Sequence, residues 1–235
     1  MNLVLEAREL RKDYRGGDGG TIEVLRGLEL AVSTGEFVAV TGESGSGKST
    51  LLHLVGALDR PTSGQVLLDG TAYDGLDAEA LAALRNRKIG FVFQFHHLLR
   101  DFSALENVAM PLLIAGQAPA SARGHARALL DAVGLGERVT HLPAQLSGGE
   151  QQRAAVARAL ATEPALLLAD EPSGNLDERN AEQLHALFAG LAREFRTAVI
   201  VVTHNRALAS RADRILTLSE GVLSETSLGA AAVSR

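Results

Sequence analysis

The segment at residues 42–50, Gly-Glu-Ser-Gly-Ser-Gly-Lys-Ser-Thr, constrains the fold of this chain more than any other stretch. It matches every fixed position of the phosphate-binding pattern G-x-x-x-x-G-K-[ST]. The apolar run at 37–40 precedes it, and a leucine-rich segment at 51–55 follows. A strand, a glycine-rich loop and a helix in this order are the setting that the pattern requires, so we expect an α/β domain that binds a nucleotide.

The residue types in this phosphate loop each have a chemical reason. Glycines at 42, 45 and 47 let backbone N–H groups approach a phosphate that a Cβ would keep away. Lys48 is expected to reach the β- and γ-phosphates, and the Ser49 hydroxyl to bind Mg²⁺. A glycine-rich turn before an ordinary helix is the plainer interpretation, but it does not explain a match at every position. The predicted nucleotide-binding residues are Gly42, Glu43, Ser44, Gly45, Ser46, Gly47, Lys48, Ser49 and Thr50.

Two adjacent carboxylates follow the apolar run at 165–169. Asp170 stands where that run, taken as a buried strand, would end, and open α/β sheets bind ligands at this end of their strands. There it can hold Mg²⁺ through water, and Glu171 is the candidate general base for the attacking water. Paired acids are common in loops, so the upstream phosphate loop is what makes this interpretation specific.

A second phosphate-binding signal lies at residues 146–153, Leu-Ser-Gly-Gly-Glu-Gln-Gln-Arg. It precedes a predicted helix at 150–162. Free N–H groups at a helix start, the Ser147 hydroxyl and the absence of a side chain at Gly148 and Gly149 make an anion site. A simple serine N-cap is the plainer alternative.

Strands and helices alternate along the chain. Apolar runs predict strands at 36–40, 65–68, 89–93, 165–169, 198–202 and 214–218, with 165–169 and 198–202 in the centre of a parallel sheet. The glycine-dense residues 15–20 predict a loop between two early strands, and the stretch from about 104 to 163 has no strand signal. We expect a single domain with an α/β core at about 1–94 and 164–226, a helical subdomain at about 95–163 and a tail at 227–235.

Charge and composition disfavour several functions. The formal net charge is −5, from 23 Lys and Arg against 28 Asp and Glu, and only 4% of residues are aromatic. A nucleic-acid partner is disfavoured because phosphate neutralisation needs a basic face and base stacking needs aromatic rings. No apolar run in the sequence approaches the ~20 residues of a membrane span. Any membrane role is therefore expected to come through a protein partner.

The phosphate loop, the octet at 146–153 and the paired acids, in this order, resemble the ATP-binding subunits of ABC transporters, and the resemblance runs through almost the whole chain. It implies a P-loop NTPase core with a mainly parallel sheet, an N-terminal antiparallel β portion and an inserted helical subdomain. ATP and Mg²⁺ are the implied cofactors, and the implied activity is ATP hydrolysis coupled to transport. In the family, a signature segment contacts the γ-phosphate bound by the other copy of a head-to-tail homodimer. Here that segment is Ser147, Gly148, Gly149 and Glu150.

The same resemblance assigns further roles one residue at a time. Gln94 resembles the glutamine that touches Mg²⁺ and senses the γ-phosphate, and His204 resembles the switch histidine that contacts the γ-phosphate. Tyr14 lies where the family places the aromatic ring that stacks on adenine, with a half-buried surface tyrosine as the alternative. Asp177 lies in the D-loop that follows Glu171.

Within the family, two segments resemble the LolD/MacB group. They are residues 94–99, Gln-Phe-His-His-Leu-Leu, and residues 105–113, Leu-Glu-Asn-Val-Ala-Met-Pro-Leu-Leu. The resemblance implies release of lipoproteins from the bacterial inner membrane, with the chain as a peripheral subunit at the cytoplasmic face. The apolar stretch at 94–113 is expected to receive a short helix from LolC- or LolE-like integral membrane subunits. Packing within the helical subdomain explains part of its apolar character.

Two relatives of this group remain as alternatives. A MacB-type export ATPase would share the motifs, although it is expected to carry its membrane helices in the same chain. A cell-division ABC ATPase that regulates wall hydrolases would share every ATP motif, and only residues 94–113 argue against it. A chromosome or DNA-repair ATPase is disfavoured because residues 95–146 show no sustained heptads for a coiled coil.

Overall fold

Two sheets organise the computed structural model, which describes residues 2–17 and 19–225, with the backbone alone at 193–195. The tail expected at 227–235 lies outside the described residues. One sheet is antiparallel and contains β1 (Leu3–Arg15), β2 (Thr21–Ser33), β4 (Ser63–Leu68) and β5 (Thr71–Ala72) in the order β2-β1-β4-β5. β1 and β2 pair along their length up to Arg15 and Thr21, so the glycine-dense stretch lies in the connection between two early strands, as predicted.

The other sheet is mainly parallel. Its strands are β3 (Phe37–Thr41), β6 (Ile89–Phe93), β7 (Leu166–Asp170), β8 (Ala198–Val202), β9 (Arg214–Ser219) and β10 (Val222–Glu225). They lie in the order β10-β9-β3-β8-β7-β6, and β10 alone among these runs antiparallel to its neighbour. The predicted fold class, an α/β core with a mainly parallel sheet and an N-terminal antiparallel portion, is confirmed.

Helices surround this sheet and fill the stretch between β6 and β7. The core carries α1 (Lys48–Val55), α2 (Ala78–Lys88), α6 (Glu178–Phe195) and α7 (Arg206–Ala209), whereas α3 (Ala104–Ile114), α4 (Pro119–Ala132) and α5 (Gly148–Leu160) lie between β6 and β7. Short 3₁₀ turns at Gly136–Arg138 and Pro143–Gln145 join α4 to α5. Within the described ranges, no helix combines the length and the apolar character that a bilayer crossing needs.

Element boundaries differ from the predictions by one or two residues. β3 and β7 each begin and end one residue later than expected, because Thr41 pairs with Thr217 and Asp170 pairs with Val202. α5 begins at Gly148 and not at residue 150, because the Ser147 side chain caps its N-terminus. The strand positions were therefore readable from the apolar runs, and the ends were decided by pairing and capping.

The parallel sheet is covered on both faces. Along β7, Leu166 and Leu168 belong to a core shared with α1 and the antiparallel sheet, whereas Leu167 and Ala169 pack in the core that contains the apolar face of α6. All residues of β8 are buried. The central positions predicted for these two strands are confirmed, since only strands buried on both faces are apolar throughout.

Candidate active site

Three adjacent parallel strands, β3, β8 and β7, end at the same edge of the sheet. Where these three strands pair with one another, Val40, Val202 and Asp170 are the last paired residues. The chain enters the phosphate loop after β3, and it reaches Glu171 after β7 and His204 after β8. Ligands of open α/β sheets bind outside the carboxyl ends of the strands, and this edge is where the structure gathers the predicted polar groups.

The phosphate loop ends at the start of α1. Gly47 caps this helix with a φ of 100°, a left-handed conformation that glycine adopts without a steric cost. No side chain caps the helix start. The N–H groups of the first helical turn are therefore available to an anion, as the positive end of a helix favours.

Lys48 closes over the loop that precedes it. Its Nζ donates hydrogen bonds to the carbonyl oxygens of Gly42 at 2.9 Å and Glu43 at 2.7 Å. The Ser46 Oγ is buried and has no hydrogen-bond partner in the described part of the chain. Buried polar groups are normally paired. An orphaned hydroxyl inside the loop fits a site whose polar groups are completed by a ligand.

A cavity of about 500 Å³ opens beside the loop. Its lining brings Lys48 and Ser49 together with Asp170, Glu171 and His204. This volume lies within the range of roughly 300–1,000 Å³ that is usual for ligand pockets. Lys48, Ser49, Asp170 and Glu171, which the sequence assigned to phosphate, metal and water, therefore share one site.

Asp170 and Ser49 form an oxygen pair in this cavity. The two side chains are hydrogen-bonded, and burial raises the pKa of the Asp170 carboxyl, while the Ser49 hydrogen bond opposes the rise and the negative charge of Glu171 adds to it. Mg²⁺ prefers hard oxygen ligands and is usually held by one or two carboxylates together with substrate phosphates. The pair therefore fits a magnesium ion that also contacts a nucleotide.

The Glu171 carboxylate is held against the residues that follow β8. Its Oε1 accepts the N–H of His204 at 3.0 Å and lies 2.8 Å from His204 Nδ1. Its Oε2 accepts the hydroxyl of Thr203 at 3.1 Å. The φ of Glu171 is +44°, which is uncommon for a residue with a Cβ. The structure thus fixes the candidate base by its backbone and by both carboxylate oxygens.

The signature segment, residues 147–150, forms the start of α5. Ser147 Oγ accepts the N–H of Glu150 at 3.3 Å, and Glu150 Oε2 accepts the N–H of Ser147 at 2.8 Å. This capping box confirms that Ser147 is an N-cap, and it leaves Ser147 and Gly148 exposed. Hydrogen bonding from the Ser147 backbone lowers the pKa of Glu150. No residue of the segment is among the described residues that line the cavity at the phosphate loop.

A family model described as ABC transporter matches residues 25–174 of the chain. This range contains the phosphate loop, the signature segment and the paired acids. The chain belongs to the ABC transporter family.

Relatives define the type of ABC subunit. A lipoprotein-releasing system ATP-binding protein LolD from Alcanivorax borkumensis is 53% identical over 220 residues, which cover 94% of this chain and 96% of the relative. The protein of the same name from Porphyromonas gingivalis is 48% identical over 221 residues, which cover 94% and 99%. Within the ABC family, the chain is an ATP-binding subunit of the LolD type.

Solved structures agree with this assignment. The dimeric structure of MJ0796, a bacterial ABC transporter cassette, has a TM-score of 0.87 and 39% identity and covers 95% of this chain and 98% of its own. A structure of the same cassette in a post-hydrolysis state, bound to ADP and Pi, matches equally well. The ABC subunit described here is therefore a nucleotide-using ATPase.

Like the signature segment, several other predicted site residues are not among the described residues that line the cavity, namely Tyr14, Glu43, Ser46, Gln94 and Asp177. Gln94 Nε2 donates to Asn175 Oδ1 at 3.2 Å, and Asn175 Nδ2 donates to the Gln94 carbonyl at 3.3 Å. Neither Gln94 nor Tyr14 is among the described residues that line the cavity. The structure joins Gln94 to the segment between Glu171 and Asp177, and its contact with Mg²⁺ stays a prediction.

The Tyr14 side chain is anchored on the surface of the antiparallel sheet. Its hydroxyl donates to Asp59 Oδ2 at 3.1 Å, and Lys12 Nζ lies 4.9 Å from the ring centroid. The residue remains 40% exposed. An exposed ring can still stack on a base, so adenine stacking by Tyr14 also stays a prediction.

Asp177 caps α6 and connects the D-loop to the signature segment. Its Oδ1 accepts the N–H of Asn180 at 2.9 Å, and its Oδ2 accepts the side-chain amide of Asn180 at 2.6 Å. These hydrogen bonds lower the pKa of Asp177. The same Asn180 side chain packs against Gly149, where an added Cβ would lie 2.2 Å from Asn180 Oδ1.

Sequence reasoning missed three residues at this site. Val24 on β2 lines the cavity, although it stands far before the phosphate loop in sequence and belongs to no motif. Thr203 and Asn180 each hydrogen-bond a predicted functional carboxylate across a turn or between elements. The only sequence signal for Thr203 was its position next to His204, and the only signal for Asn180 was its position shortly after Asp177.

Proposed function

We propose that this chain is the ATP-hydrolysing subunit of a transporter that releases lipoproteins from the bacterial inner membrane. The observation that carries the proposal is the cavity in which Lys48, Ser49 and Asp170 lie beside Glu171 and His204. Phosphate-binding groups, metal-binding oxygens and a base in one site are the components that phosphoryl transfer to water requires. The choice of lipoproteins is supported by the names of the relatives.

The phosphate loop binds the phosphates of ATP. On binding, Lys48 exchanges its hydrogen bonds to Gly42 O and Glu43 O for oxygens of the β- and γ-phosphates, and the first turn of α1 donates its N–H groups. Ser49 and Asp170 would hold the Mg²⁺ ion, and Gln94 would be a further ligand. When bound, the ion supplies neutralisation of the charge that develops on the phosphate oxygens.

Glu171 is the general base. Its carboxylate takes the proton of the water that attacks the γ-phosphate, and the contacts with His204 and Thr203 set its position. Because an ionised carboxylate only accepts hydrogen bonds, the pair with His204 places a proton on Nδ1 of the imidazole. His204 thus holds the base and contacts the γ-phosphate at the same edge of the sheet.

Two copies of the chain enclose two ATP molecules in a head-to-tail dimer. Ser147, Gly148, Gly149 and Glu150 complete the site of the other copy, with their helix start directed at its γ-phosphate. This arrangement is supported by the exposure of the helix start and by the absence of these four from the described lining of their own cavity. Asp177 belongs to the same surface through Asn180.

The membrane partners dock on the apolar stretch at residues 94–113 and on the adjoining Ile114. Phe95 and Ile114 are 65% and 68% exposed, and Leu99, Phe102 and Leu113 are also exposed. A groove of about 430 Å³ beside them is lined by Phe91, Phe93 and Pro111 among others. A groove of this kind can receive a short helix from LolC- or LolE-like integral subunits. Membrane contact at the cytoplasmic face comes through these partners alone.

The test is capture of partners by a trapped dimer. Tagged Glu171→Gln is isolated from detergent-solubilised membranes with Mg-ATP, and the co-purified proteins are identified. We expect two membrane subunits with large periplasmic domains, together with lipoproteins. A small cell-division membrane protein in their place would move the function to regulation of wall hydrolases. Capture of soluble proteins alone would contradict the transporter function.

A matched pair of variants tests the docking face in the same experiment. Ile114→Ser, in the Glu171→Gln background, is expected to lose the membrane subunits while it retains ATP-dependent dimerisation. Val222→Ser changes an apolar residue of similar exposure, 53%, on the edge strand β10 and is expected to capture the same partners as its parent. Equal capture by both variants would place the docking face elsewhere.

A further inference from the structure

The buried hydroxyl of Thr203 lies next to the carboxylate of the proposed base, Glu171. Thr203 follows the last residue of β8 and has no exposed surface. Its Oγ1 lies 3.1 Å from Glu171 Oε2 and accepts the N–H of Asn205 at 3.0 Å. Its own N–H donates to the carbonyl of Val40 on β3 at 3.1 Å. Thr203 therefore joins the carboxylate to the strand that enters the phosphate loop.

The direction of the hydroxyl proton follows from these contacts. The Asn205 N–H can only donate, so it occupies an acceptor position of the Thr203 oxygen. An ionised carboxylate can only accept, so the hydroxyl proton points to Glu171 Oε2. A hydrogen bond from a neutral donor to an ionised acceptor is stronger than one between neutral groups.

We infer that Thr203 is a positioning residue for ATP hydrolysis, whose hydroxyl holds the Glu171 carboxylate in the orientation that accepts the proton of water. The inference rests on the proposed role of Glu171. His204 contacts Oε1 through its N–H and its Nδ1, and the same N–H reaches Oε2 at 3.4 Å, whereas the Thr203 hydroxyl gives Oε2 the shorter contact at 3.1 Å. Without the Thr203 hydroxyl, Oε2 keeps only the 3.4 Å contact with the His204 N–H, so the carboxylate is freer to rotate about its terminal bond.

The inference also gives the base a fixed distance from the nucleotide. The Thr203 N–H is hydrogen-bonded to the carbonyl of Val40 on β3, and the phosphate loop begins two residues after Val40. Small errors of position at a reacting centre reduce the rate strongly, because the near-attack geometry is lost. Loss of the Thr203 hydroxyl should therefore reduce turnover and leave ATP binding intact.

The chain offers matched variants for the test. Thr203→Val removes the hydroxyl at nearly constant volume, and Thr203→Ser keeps it. Thr197→Val is the control, because Thr197 is also buried, precedes the same strand β8 at its other end, and donates its hydroxyl to the Pro164 carbonyl at 3.0 Å. The full chain is used in each case, and kcat and KM for ATP, ATP binding and the melting temperature are measured.

We expect Thr203→Val to lower kcat about tenfold, equivalent to about 1.4 kcal/mol of barrier, with KM unchanged within about twofold. Thr203→Ser should recover most of the turnover. Thr197→Val should lower the melting temperature and leave kcat within about twofold of wild type. Wild-type kcat in Thr203→Val, or equal losses in the Val and Ser variants, would overturn the inference.

A double variant separates this inference from the proposed function. In single-turnover hydrolysis, Thr203→Val should lower the rate about tenfold in the wild-type background and less than about twofold in Glu171→Gln, because a positioning residue has no effect without its base. Additive losses would show that Thr203 acts elsewhere. Wild-type turnover in Glu171→Gln would instead contradict the proposed role of Glu171 itself.

Discussion

The contact between Gly149 and Asn180 allows a prediction with a calculable size. A Cβ at position 149 would lie 2.2 Å from Asn180 Oδ1 and 2.5 Å from Asn180 Cγ, well inside van der Waals contact. The amide cannot simply swing away, because its nitrogen is hydrogen-bonded to Asp177 at 2.6 Å. Gly149→Ala should therefore displace Asn180 and free the D-loop carboxylate.

The expected loss is the difference of two effects. Overpacking of this kind costs about 1–3 kcal/mol. Replacing glycine by alanine within a helix stabilises the folded state by about 0.5–1 kcal/mol. Gly149→Ala should thus lower the free energy of unfolding by about 1 kcal/mol, within limits of roughly 0–2.5 kcal/mol. Gly148→Ala is the control, because its added Cβ would meet nothing closer than Leu176 Cδ2 at 4.0 Å. It should be neutral or slightly stabilising.

Urea unfolding of the full chain without nucleotide measures both variants, and a second background identifies the cause. Asn180→Ala removes the two closest atoms and leaves only a Cβ contact at 3.1 Å. In that background, Gly149→Ala should cost less than about 0.5 kcal/mol, because neighbouring residues are not additive. Equal stability of the two glycine variants, or the same loss in both backgrounds, would refute the reasoning.

Three further predictions concern the site and the buried polar pair beside it. Ser147→Arg should abolish hydrolysis and retain ATP binding, measured by nucleotide affinity, since the segment serves the other copy; loss of binding would place it within its own site. Lys48→Ala should lose both binding and turnover, and normal turnover would contradict its phosphate role. Burial, with the charge of Arg211, lowers the pKa of His185, whose Nε2 lies 2.9 Å from Ser173 Oγ, although Glu182 opposes the shift. Folding therefore favours the neutral form, so stability should fall as the pH drops below about 6.5, the value in an unfolded chain. His185→Phe should remove this pH dependence, and an unchanged slope of unfolding free energy against pH would show that His185 is not its source.

The parts of the fold and site that the sequence predicted are those encoded by local patterns. The apolar runs located β7 and β8, because strands buried on both faces need no polar residues. The phosphate loop was recognisable because its glycines, Lys48 and Ser49 are needed at fixed spacing. Asp170 was placed at a strand end from that run alone.

The rest depends on contacts between side chains far apart in sequence. Asn180 reaches Gly149 from another helix, and Gln94 pairs with Asn175 across 81 positions. Such contacts follow no periodicity and no fixed spacing in the sequence, so no sequence pattern predicts them. The predicted ends of β3, β7 and β9 were wrong by one residue for the same reason, since pairing with a neighbouring strand decides where a strand stops.

The geometry connects the two halves of the site within one chain. Asp177 stands 177 − 170 = 7 positions after Asp170, and this short segment also carries Glu171 and the partner of Gln94, Asn175. At its far end, Asp177 holds Asn180 against Gly149 of the signature segment. In the proposed dimer, where the signature segment serves the other copy, this path would connect the base at one nucleotide with the helix start at the other through residues 171–177, one hydrogen bond and one packing contact.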